Sequence, residues 1–461
     1  MSETFSNIST IDNLPEVIDL FSGCGGLSLG FRHVGFNVTH GIELSKDAVE
    51  TASYNLHWRY GEESNHVCKD ITQADPDDIV KSIGTAGCIV IGGPPCQAYS
   101  LIGRAKLKSL GEDRENTNDR RGFLYQDFLR FVYALNARAV VMENVPEATD
   151  FGGKNVPDIV CGSLKRHGYI PFWTILNSAD YGVPQIRERV ILIAVRETEK
   201  IEIKLPIPTN CNQDNSRIAA NESRFKNFAE QCKYFTYPQK SLKSMPDWVT
   251  VGDAFSDLPE LFPNEHTVYR LEKITTPMKY HSEPQNSFQV AMRTWFGPDK
   301  DYVTGNCFRK YTRDFPIFAR MKQGDDYSDA SRIADELLQK ACTARGITSI
   351  NSKAYEDIKS RIVPPYDREN FVAKWQRLCL DKPSYTLVAH LSVDTYSHIH
   401  PTEPRGISVR EAARLQSFPD DFLIQCSMGA AYKQIGNAVP PLMAVAVAKC
   451  IKDAFLHKEE S

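Results

Sequence analysis

The sequence predicts an α/β protein: a doubly wound, mostly parallel sheet with a second, irregular domain. From Val17 to about residue 196, short apolar runs alternate with turns and with segments of helical periodicity. After residue 207 the sequence becomes polar and irregular, and it stays so until about residue 404. Strands that alternate with helices form sheets covered by helices on both faces. We therefore expect the sheet in the first 200 residues.

The strands of this sheet follow from the apolar runs, which are bounded by turn residues. The predicted strands are Val17–Phe21, one ending at Ile42, Cys88–Ile91, Ala139–Met142, Pro171–Leu176 and Val190–Val195. Helices are predicted at Leu27–Val34, at Lys46–Asn55, from Ser408 onward and in the apolar segment 442–455. We expect the last helix to return to the first domain.

Length and composition set limits on the class of protein. A chain of 461 residues is too long for one small core, so we expect two or three domains, and 42% hydrophobic residues are ample to fill their cores. Because neither a secretory signal pattern nor a run of about 18 apolar residues is present, we expect a cytoplasmic protein without membrane contact. The twelve cysteines form no C-x-x-C pair, which argues against a disulfide framework and a structural metal site.

Segment 19–26, which reads DLFSGCGG, follows the first strand and opens a helix. Glu43 follows the second strand, about 20 residues on, where a carboxylate can accept both hydroxyls of a ribose. The glycine spacing differs from G-x-G-x-x-G, and it suits a mononucleoside such as S-adenosylmethionine better than a dinucleotide. A tight strand-to-helix turn without a ligand is the alternative.

Cys96 lies in a Gly-Pro turn, GGPPCQAYS, directly after an apolar run. The carboxyl ends of strands are where open α/β sheets bind their ligands, so this cysteine is a candidate nucleophile. A free thiol with a pKa of about 8.5 is only slightly ionised at neutral pH, and a nucleophilic cysteine therefore needs groups that favour the thiolate. An inert buried thiol is the alternative.

Two further segments supply polar groups at strand ends. Glu143, in the segment ENVP, ends an apolar run and is expected at the same sheet edge as Cys96, as a proton donor or as an ordinary salt-bridge partner. Arg187 and Arg189, in the segment QIRER, are two residues apart, so in an extended chain they point to one side. Two such guanidinium groups can hold an anionic or carbonyl-rich substrate.

Together these segments resemble the motifs of the DNA (cytosine-5) methyltransferase family of bacterial restriction-modification systems. DLFSGCGG resembles its first motif, GGPPCQAYS its P-C-Q motif, ENVP its glutamate motif and QIRER its Q-x-R-x-R motif. RGISVREAARLQSFPDDF (405–422) and QIGNAVPP (434–441) resemble the ninth and tenth motifs, and all six occur in the family's order. The motifs span about residues 17–196 and 383–450.

The resemblance implies a Rossmann-like catalytic domain that uses S-adenosylmethionine. Residues 1–200 would form its first part, 201–404 the target-recognition domain, 405–430 a junction, and 431–461 the returning segment that completes the catalytic domain. Asn437 would adjoin the methionine end of the cofactor, and Asp70 and Ile71 its adenine. The implied cofactor-binding residues are Asp19, Phe21, Ser22, Gly23, Gly25, Gly26, Glu43, Leu44, Asp70, Ile71, Pro95, Asn437 and Ala438.

The resemblance also implies a mechanism. The Cys96 thiolate adds to carbon 6 of a cytosine that has been flipped out of a DNA duplex, and Glu143 hydrogen-bonds ring nitrogen 3. Arg189 would hold the carbonyl oxygen of the base, and Arg187 would support the cysteine segment. Carbon 5 then becomes nucleophilic, and it is methylated before the thiolate is eliminated.

Contacts to DNA are expected from local surfaces, because a net charge of −4 gives no overall attraction to phosphate. The segment after Cys96 is rich in basic residues and resembles the family's mobile catalytic loop; a solvated charged loop is the alternative. Segment 308–322 interleaves basic and aromatic residues, as either a DNA-contacting surface or a helix with a packed aromatic face. The candidate DNA-binding residues are Gln97, Ser100, Arg104, Arg121, Arg309 and Lys310.

Two other functions remain as hypotheses. A tRNA cytosine-5 methyltransferase of the same family would share the chemistry, but its C-F-T segment is not evident and the variable region is long. A catalytically inactive DNA-binding homologue would lack parts of the site, whereas Cys96, Glu143 and both arginines are present. The partner expected is double-stranded DNA, and the chain is expected to act as a monomer.

Overall fold

The computed structural model describes residues 14–83, 87–95, 120–212, 215–261, 273–311, 313–366 and 374–457, with backbone alone at 120–121 and 215–219. The chain divides into two compact units. The first comprises residues 1–248 and 438–461, and the second comprises residues 249–437. The predicted assignment of residues 201–404 to target recognition remains a prediction.

The first unit contains a seven-stranded sheet in the order β3-β2-β1-β4-β5-β7-β6. Its strands are β1 Glu16–Leu20, β2 Val38–Glu43, β3 Asn65–Cys68, β4 Cys88–Gly92, β5 Ala139–Asn144, β6 Tyr169–Asn177 and β7 Glu188–Arg196. Neighbouring strands among β1–β5 are parallel, whereas β7 runs antiparallel to both β5 and β6. The predicted mostly parallel α/β sheet is therefore confirmed, and β3 is a strand that the sequence prediction missed.

Helices cover both faces of this sheet. They are α1 Gly26–His33, α2 Lys46–Leu56, α3 Asp77–Val80, α4 Leu124–Ala134, α5 Val156–Arg166, α6 Asn215–Gln231 and, after the second unit, α14 Pro441–His457. One apolar core packs α4 and α5 against one face, and a second core packs α1 and α14 against the other. Alternate side chains of β5 and β7 enter different cores, as the pleat of a strand requires.

The second unit is mainly helical. Its helices are α7 Val251–Phe255, α8 Ser287–Thr294, α9 Phe315–Phe318, α10 Tyr327–Ala344, α11 Lys353–Ile362, α12 Val409–Leu415 and α13 Met428–Asn437, with a two-stranded ladder of β8 Met278–Lys279 and β9 Tyr302–Val303. Ser408 caps α12 in a reciprocal pair with Glu411, as its sequence predicts. The sequence prediction underestimated the helix content of this unit, because it assigned weak hydrophobic periodicity to the segments that form α10 and α11.

Buried ion pairs organise the ninth motif inside the second unit. Arg414 is fully buried and contacts Asp257 at 2.9 Å and Asp420 at 2.6 Å. Arg405, also fully buried, contacts Glu411 at 2.7 Å, and this holds the pKa of Glu411 at about 2, against its burial. Each of these buried charges is compensated by an oppositely charged partner. Because the pairs connect residues of the ninth motif to one another and to Asp257, the motif has a structural role in this unit.

Candidate active site

The candidate residues of the first unit gather at one edge of the sheet. The strands β1, β2, β4 and β5 are parallel, so their carboxyl ends share this edge, and each is followed by one of the predicted motifs. Because β7 is antiparallel to β5, its first residues, and not its last, lie at the same edge. This arrangement brings Arg189 beside Glu143, although 46 positions separate them in the sequence.

The loop after β1 has a backbone conformation that favours glycine at two positions. Gly23 and Gly25 have φ angles of 54° and 89°, and Phe21 also has a positive φ of 60°. A Cβ on Gly25 would lie 2.9 Å from the Leu56 side chain, whereas among the described residues, apart from its chain neighbours, none has an atom within 4 Å of the Cβ position of Gly23. Directly before helix α1 begins at Gly26, the loop therefore packs against α2 at Gly25, and at Gly23 it has no close packing against the described part of the chain.

Glu43, the last residue of β2, is hydrogen-bonded to this loop through its side chain. Its Oε2 accepts a hydrogen bond from the Gly23 amide at 3.0 Å, and its Oε1 accepts one from the Ser45 amide at 2.8 Å. Each carboxylate oxygen can accept a second hydrogen bond. The next residue, Leu44, is 69% exposed. The carboxylate thus shapes the loop and still has acceptor capacity for a ligand.

Asp19 lies deeper than the loop. Its side chain is 1% exposed, and its Oδ2 accepts a hydrogen bond from Ser28 Oγ at 2.5 Å. Burial raises the pKa of Asp19 to about 7, the Ser28 hydrogen bond opposes that rise, and the nearby charge of Glu43 adds to it. Asp19 therefore connects β1 to α1 beneath the loop, and its predicted contact with a cofactor remains a prediction.

Asp70 and Ile71 follow β3 on the other side of β2. Asp70 caps a short 3-10 turn, since its Oδ1 accepts hydrogen bonds from the Thr72 amide at 2.9 Å and from the Thr72 hydroxyl at 2.8 Å. The Ile71 side chain is buried in the core, and its carbonyl accepts a hydrogen bond from Arg130 at 2.7 Å. The segment is therefore fixed at the edge that carries Glu43.

Glu143 and Arg189 form the central contact of the site. Arg189 Nε lies 2.8 Å from Glu143 Oε1, and the two side chains are 11% and 12% exposed. A Cβ on Gly93, just after β4, would lie 2.8 Å from Glu143 Oε2. The carboxylate is thus held between an arginine and the glycine of the GGPP turn, in a setting that is largely shielded from solvent.

Arg187 precedes β7 and is 2% exposed. Its Nη2 donates to the carbonyl of Ala438 at 3.1 Å, and its amide donates to Asn177 Oδ1 at 3.2 Å. It therefore joins the start of β7 to the segment that leads into α14. Asn437 is the last residue of α13 and belongs to the second unit, so its place beside the cofactor remains a prediction.

The turn that carries the candidate nucleophile is described as far as Pro95, which is partly exposed. Asn144 Nδ2 donates to the carbonyl of Pro94 at 3.3 Å, and this ties the turn to the end of β5 next to Glu143. Cys96 lies outside the described residues, as do Gln97, Ser100 and Arg104. Its role therefore remains a prediction.

The remaining candidates for DNA contact lie at separate places in the chain. Arg121 lies in the short 3-10 helix Arg120–Phe123, and only its backbone is described. Arg309 donates to the carbonyl of Ser392, and its neighbour Lys310 is exposed. The aromatic residues of segment 308–322 are largely in the core of the second unit, which favours the packed-aromatic alternative for Phe308, Phe315 and Phe318.

The loop meets the needs of a nucleoside cofactor. Ser22 Oγ is buried and has no hydrogen-bond partner within the part of the chain that the structure describes. It lies between the strained Phe21 and the open Gly23, and the Glu43 carboxylate is bonded to the same loop. The backbone of such a loop, just before a helix N-terminus, can approach a ligand closely. The carboxylate can accept hydrogen bonds from the hydroxyl groups of a ribose.

Sequence reasoning missed three contributors to this site. The sequence pattern indicates only a helix for Ser28 and only a turn for Gly93, although the consecutive glycines of GGPP signal a close approach of two backbone segments. Asn177 ends a strand whose partner strand is antiparallel, and no local pattern gave that pairing. Within the described ranges, no group of three His, Cys, Asp or Glu side chains is arranged to hold a metal, and no helix has the length and hydropathy to span a bilayer.

Comparison with known proteins gives a consistent result along nearly the whole chain. The family model of C-5 cytosine-specific DNA methylases matches residues 16–453. A protein of Oceanobacillus iheyensis named "Putative type II methyltransferase M.OihORF3336P" is 53% identical over 455 residues, which cover 98% of each chain. The type II methyltransferase M.DdeI of Desulfomicrobium norvegicum is 30% identical over 451 residues, covering 95% of this chain and 89% of that one.

A solved structure supports the fold. It is titled as a "putative DNA modification methyltransferase encoded within prophage" of E. coli, and it aligns with a TM-score of 0.64 over 96% of this chain and all of its own. The sequence identity is 22%, so this likeness shows the fold alone. The fold of this chain is thus a known one.

Proposed function

The chain belongs to the family of C-5 cytosine-specific DNA methylases, and from this premise we propose that it methylates cytosine within one specific sequence of double-stranded DNA, with S-adenosylmethionine as the methyl donor. The observation that carries the proposal is the contact between Arg189 and Glu143 at 2.8 Å, beside the turn that leads to Cys96. Such a pair can hold the polar edge of a pyrimidine.

The cofactor would bind at the carboxyl ends of β1 and β2. Gly23 leaves room for its close approach, Ser22 supplies an uncommitted hydroxyl, and the Glu43 carboxylate can accept its ribose hydroxyls. When bound, S-adenosylmethionine supplies an electrophilic methyl group on its sulfonium. The loop's backbone is already shaped by Glu43, so little ordering is needed on binding.

The reaction needs a nucleophile, because the pyrimidine ring is a weak nucleophile at carbon 5. The Cys96 thiolate adds to carbon 6, and the electron pair moves towards ring nitrogen 3, where Glu143 donates a hydrogen bond. Carbon 5 is then nucleophilic. After methylation, loss of the proton at carbon 5 and elimination of the thiolate restore the aromatic ring and the free enzyme.

Arg189 has two tasks in this scheme. It orients the Glu143 carboxyl group through Nε, and its remaining donors can hold the carbonyl oxygen of the base. Arg187, buried and bonded to Ala438, fixes the segment from which Arg189 projects. A stacked cytosine cannot reach these groups, so the base must be flipped out of the duplex, at a cost of a few kcal/mol.

The biological setting follows from the relatives, which are named as type II methyltransferases. We propose that the enzyme protects host DNA from a cognate endonuclease, that it acts as a monomer, and that it works in the cytoplasm at the nucleoid. Bisulfite sequencing of host DNA would give the recognition sequence, and size-exclusion chromatography with light scattering would give the oligomeric state.

The direct test is transfer of tritium-labelled methyl groups to duplex DNA and, in parallel, to tRNA. We expect incorporation into DNA, loss of turnover in Cys96→Ser with duplex binding retained, and a severe loss of rate in Glu143→Gln. Transfer to tRNA alone would favour the RNA-modifying branch. Transfer to neither substrate, or a Cys96→Ser variant that keeps more than a few per cent of its activity, would contradict the proposal.

A further inference from the structure

Helix α6 is docked on the sheet face that carries Trp173. The Trp173 ring makes edge contacts with Phe228 of the helix and with Phe235 beyond it, at centroid distances of 5.4 and 5.0 Å. Asp158 ties the chain after the helix to this ring, since its Oδ1 accepts from Trp173 Nε1 at 2.6 Å and its Oδ2 from the Lys233 amide at 2.9 Å. The helix therefore has a fixed position on the sheet.

Arg224, on this helix, forms a two-pronged ion pair with Glu188. Its Nη1 lies 2.8 Å from Oε2 and its Nη2 lies 3.0 Å from Oε1, while Nη2 also donates to Asn221 of the same helix at 3.3 Å. Two parallel hydrogen bonds fix the relative orientation of the two groups, which a single contact does not. The Glu188 carboxylate is thus held at a defined point on the helix.

Glu188 is the first residue of β7 and stands between Arg187 and Arg189. Successive side chains of a strand point to opposite faces, so Glu188 reaches α6 while Arg189 reaches Glu143 on the other face. Asn177 pairs with Glu188 in the ladder, and its side chain also accepts the Arg187 amide. The backbone from which Arg189 projects is therefore held from the side of α6.

We propose that Arg224 is a positioning residue of the methyl-transfer reaction, which acts through Glu188 to hold the start of β7 so that Arg189 meets Glu143 and the target base. This inference rests on the proposed function of Arg189. Arg224 lies outside the six motifs that the sequence analysis identified. The pair is partly exposed, with side chains 34% and 20% accessible, so its loss should affect geometry more than stability.

The test is a double-mutant cycle with Arg224→Gln, Glu188→Gln and the double variant. The readout is the single-turnover rate of methyl transfer to duplex DNA at saturating cofactor and DNA. We expect each single variant to lose about tenfold in this rate and the double variant to lose no more than either single one, because all three remove the same contact. The affinity for S-adenosylhomocysteine should stay within about twofold of wild type, since Glu43 and the glycine loop lie elsewhere on the sheet edge.

Lys226→Gln is the matched control, because Lys226 is an exposed cation on the same helix that contacts Glu230 at 4.0 Å. Its rate should equal that of wild type. Losses that multiply in the double variant, or an Arg224→Gln rate within twofold of wild type, would overturn the inference. A fall in melting temperature and cofactor affinity together with the rate would show a merely structural role and would also overturn it. Failure of the proposed function is distinguishable, because the wild-type enzyme would then transfer no methyl groups to duplex DNA. Failure of the proposed role of Arg189 would show as an Arg189→Ala variant that keeps the wild-type rate.

Discussion

Gly93 and Glu143 are packed against each other where β4 and β5 end: a Cβ atom on Gly93 would lie 2.8 Å from Oε2 of the carboxylate. The other oxygen of that carboxylate is held by Arg189 at 2.8 Å. A methyl group at position 93 would displace this oxygen, and with it the carboxyl group that contacts Arg189. A glycine at this position is thus a condition for the arrangement of the site.

Gly93→Ala should therefore reduce catalysis with little effect on folding. We expect the single-turnover methylation rate to fall about 100-fold, since small displacements of a catalytic group have effects of this order, while the melting temperature stays close to wild type. Gly92→Ala is the contrasting control: there the Cβ would lie 2.1 Å from the backbone oxygen of Leu20, so folding itself should suffer. A Gly93→Ala enzyme with the wild-type rate would contradict the placement of Glu143.

Glu43→Gln should weaken cofactor binding. An amide in place of the carboxylate turns one acceptor into a donor that faces the amide of Gly23 or of Ser45. Losing one charge-assisted hydrogen bond costs about 1.5–3 kcal/mol, so the Kd for S-adenosylhomocysteine should rise about 10- to 100-fold in calorimetric titrations. The control is Glu50→Gln, an exposed position on α2, which should bind as wild type does. Unchanged affinity in Glu43→Gln would place the cofactor elsewhere.

Asp19 should make folding stability depend on pH. Its folded-state pKa is raised by burial from 3.8 to about 7, so the folded protein holds this proton more tightly than the unfolded chain. The associated stabilisation is complete below about pH 4 and is lost as the pH rises to about 7. The total amounts to about 4 kcal/mol.

Asp19→Asn removes this buried charge and keeps an acceptor for Ser28. The variant should therefore melt at a higher temperature than wild type at pH 8.5, by a margin that shrinks between pH 7 and pH 5, as scanning calorimetry would measure. Asp77→Asn, which replaces an exposed carboxylate at the start of α3, is the control, and its melting temperature should stay close to that of wild type. A margin that stays constant with pH would mean that Asp19 does not titrate in this range.

Local patterns were sufficient to predict most of the sheet and the identities of the motifs. Apolar runs bounded by glycine, proline or acidic residues gave β1, β2, β4 and β5, and the motif at each strand end gave the edge on which the site lies. Strand β3 was missed because only His66 of its four residues is buried, so it has no apolar run.

Contacts between segments that are distant in the sequence could not be predicted. The antiparallel direction of β7 decides that Arg189 meets Glu143, yet it depends on sheet pairing and not on the composition of QIRER. Likewise, the Arg224–Glu188 pair joins a helix of low apolar content to a motif 36 positions earlier. Such contacts follow from packing, which a single sequence does not encode as a local pattern.

Gly30→Ala should destabilise the first unit through the contact between α1 and α14. A Cβ at position 30 would lie 2.4 Å from the Cβ of Ala444 and 2.6 Å from the amide nitrogen of Val445, so the two helices would have to separate. Overpacking of this kind costs about 1–3 kcal/mol. Gly162→Ala is the matched control, since Gly162 also lies within a helix, α5, and its nearest neighbour would be at 3.7 Å. There the alanine should stabilise by up to about 1 kcal/mol, because it restricts the unfolded chain. Chemical denaturation of both variants measures the difference, and equal stability of the two would contradict the close approach of α1 and α14.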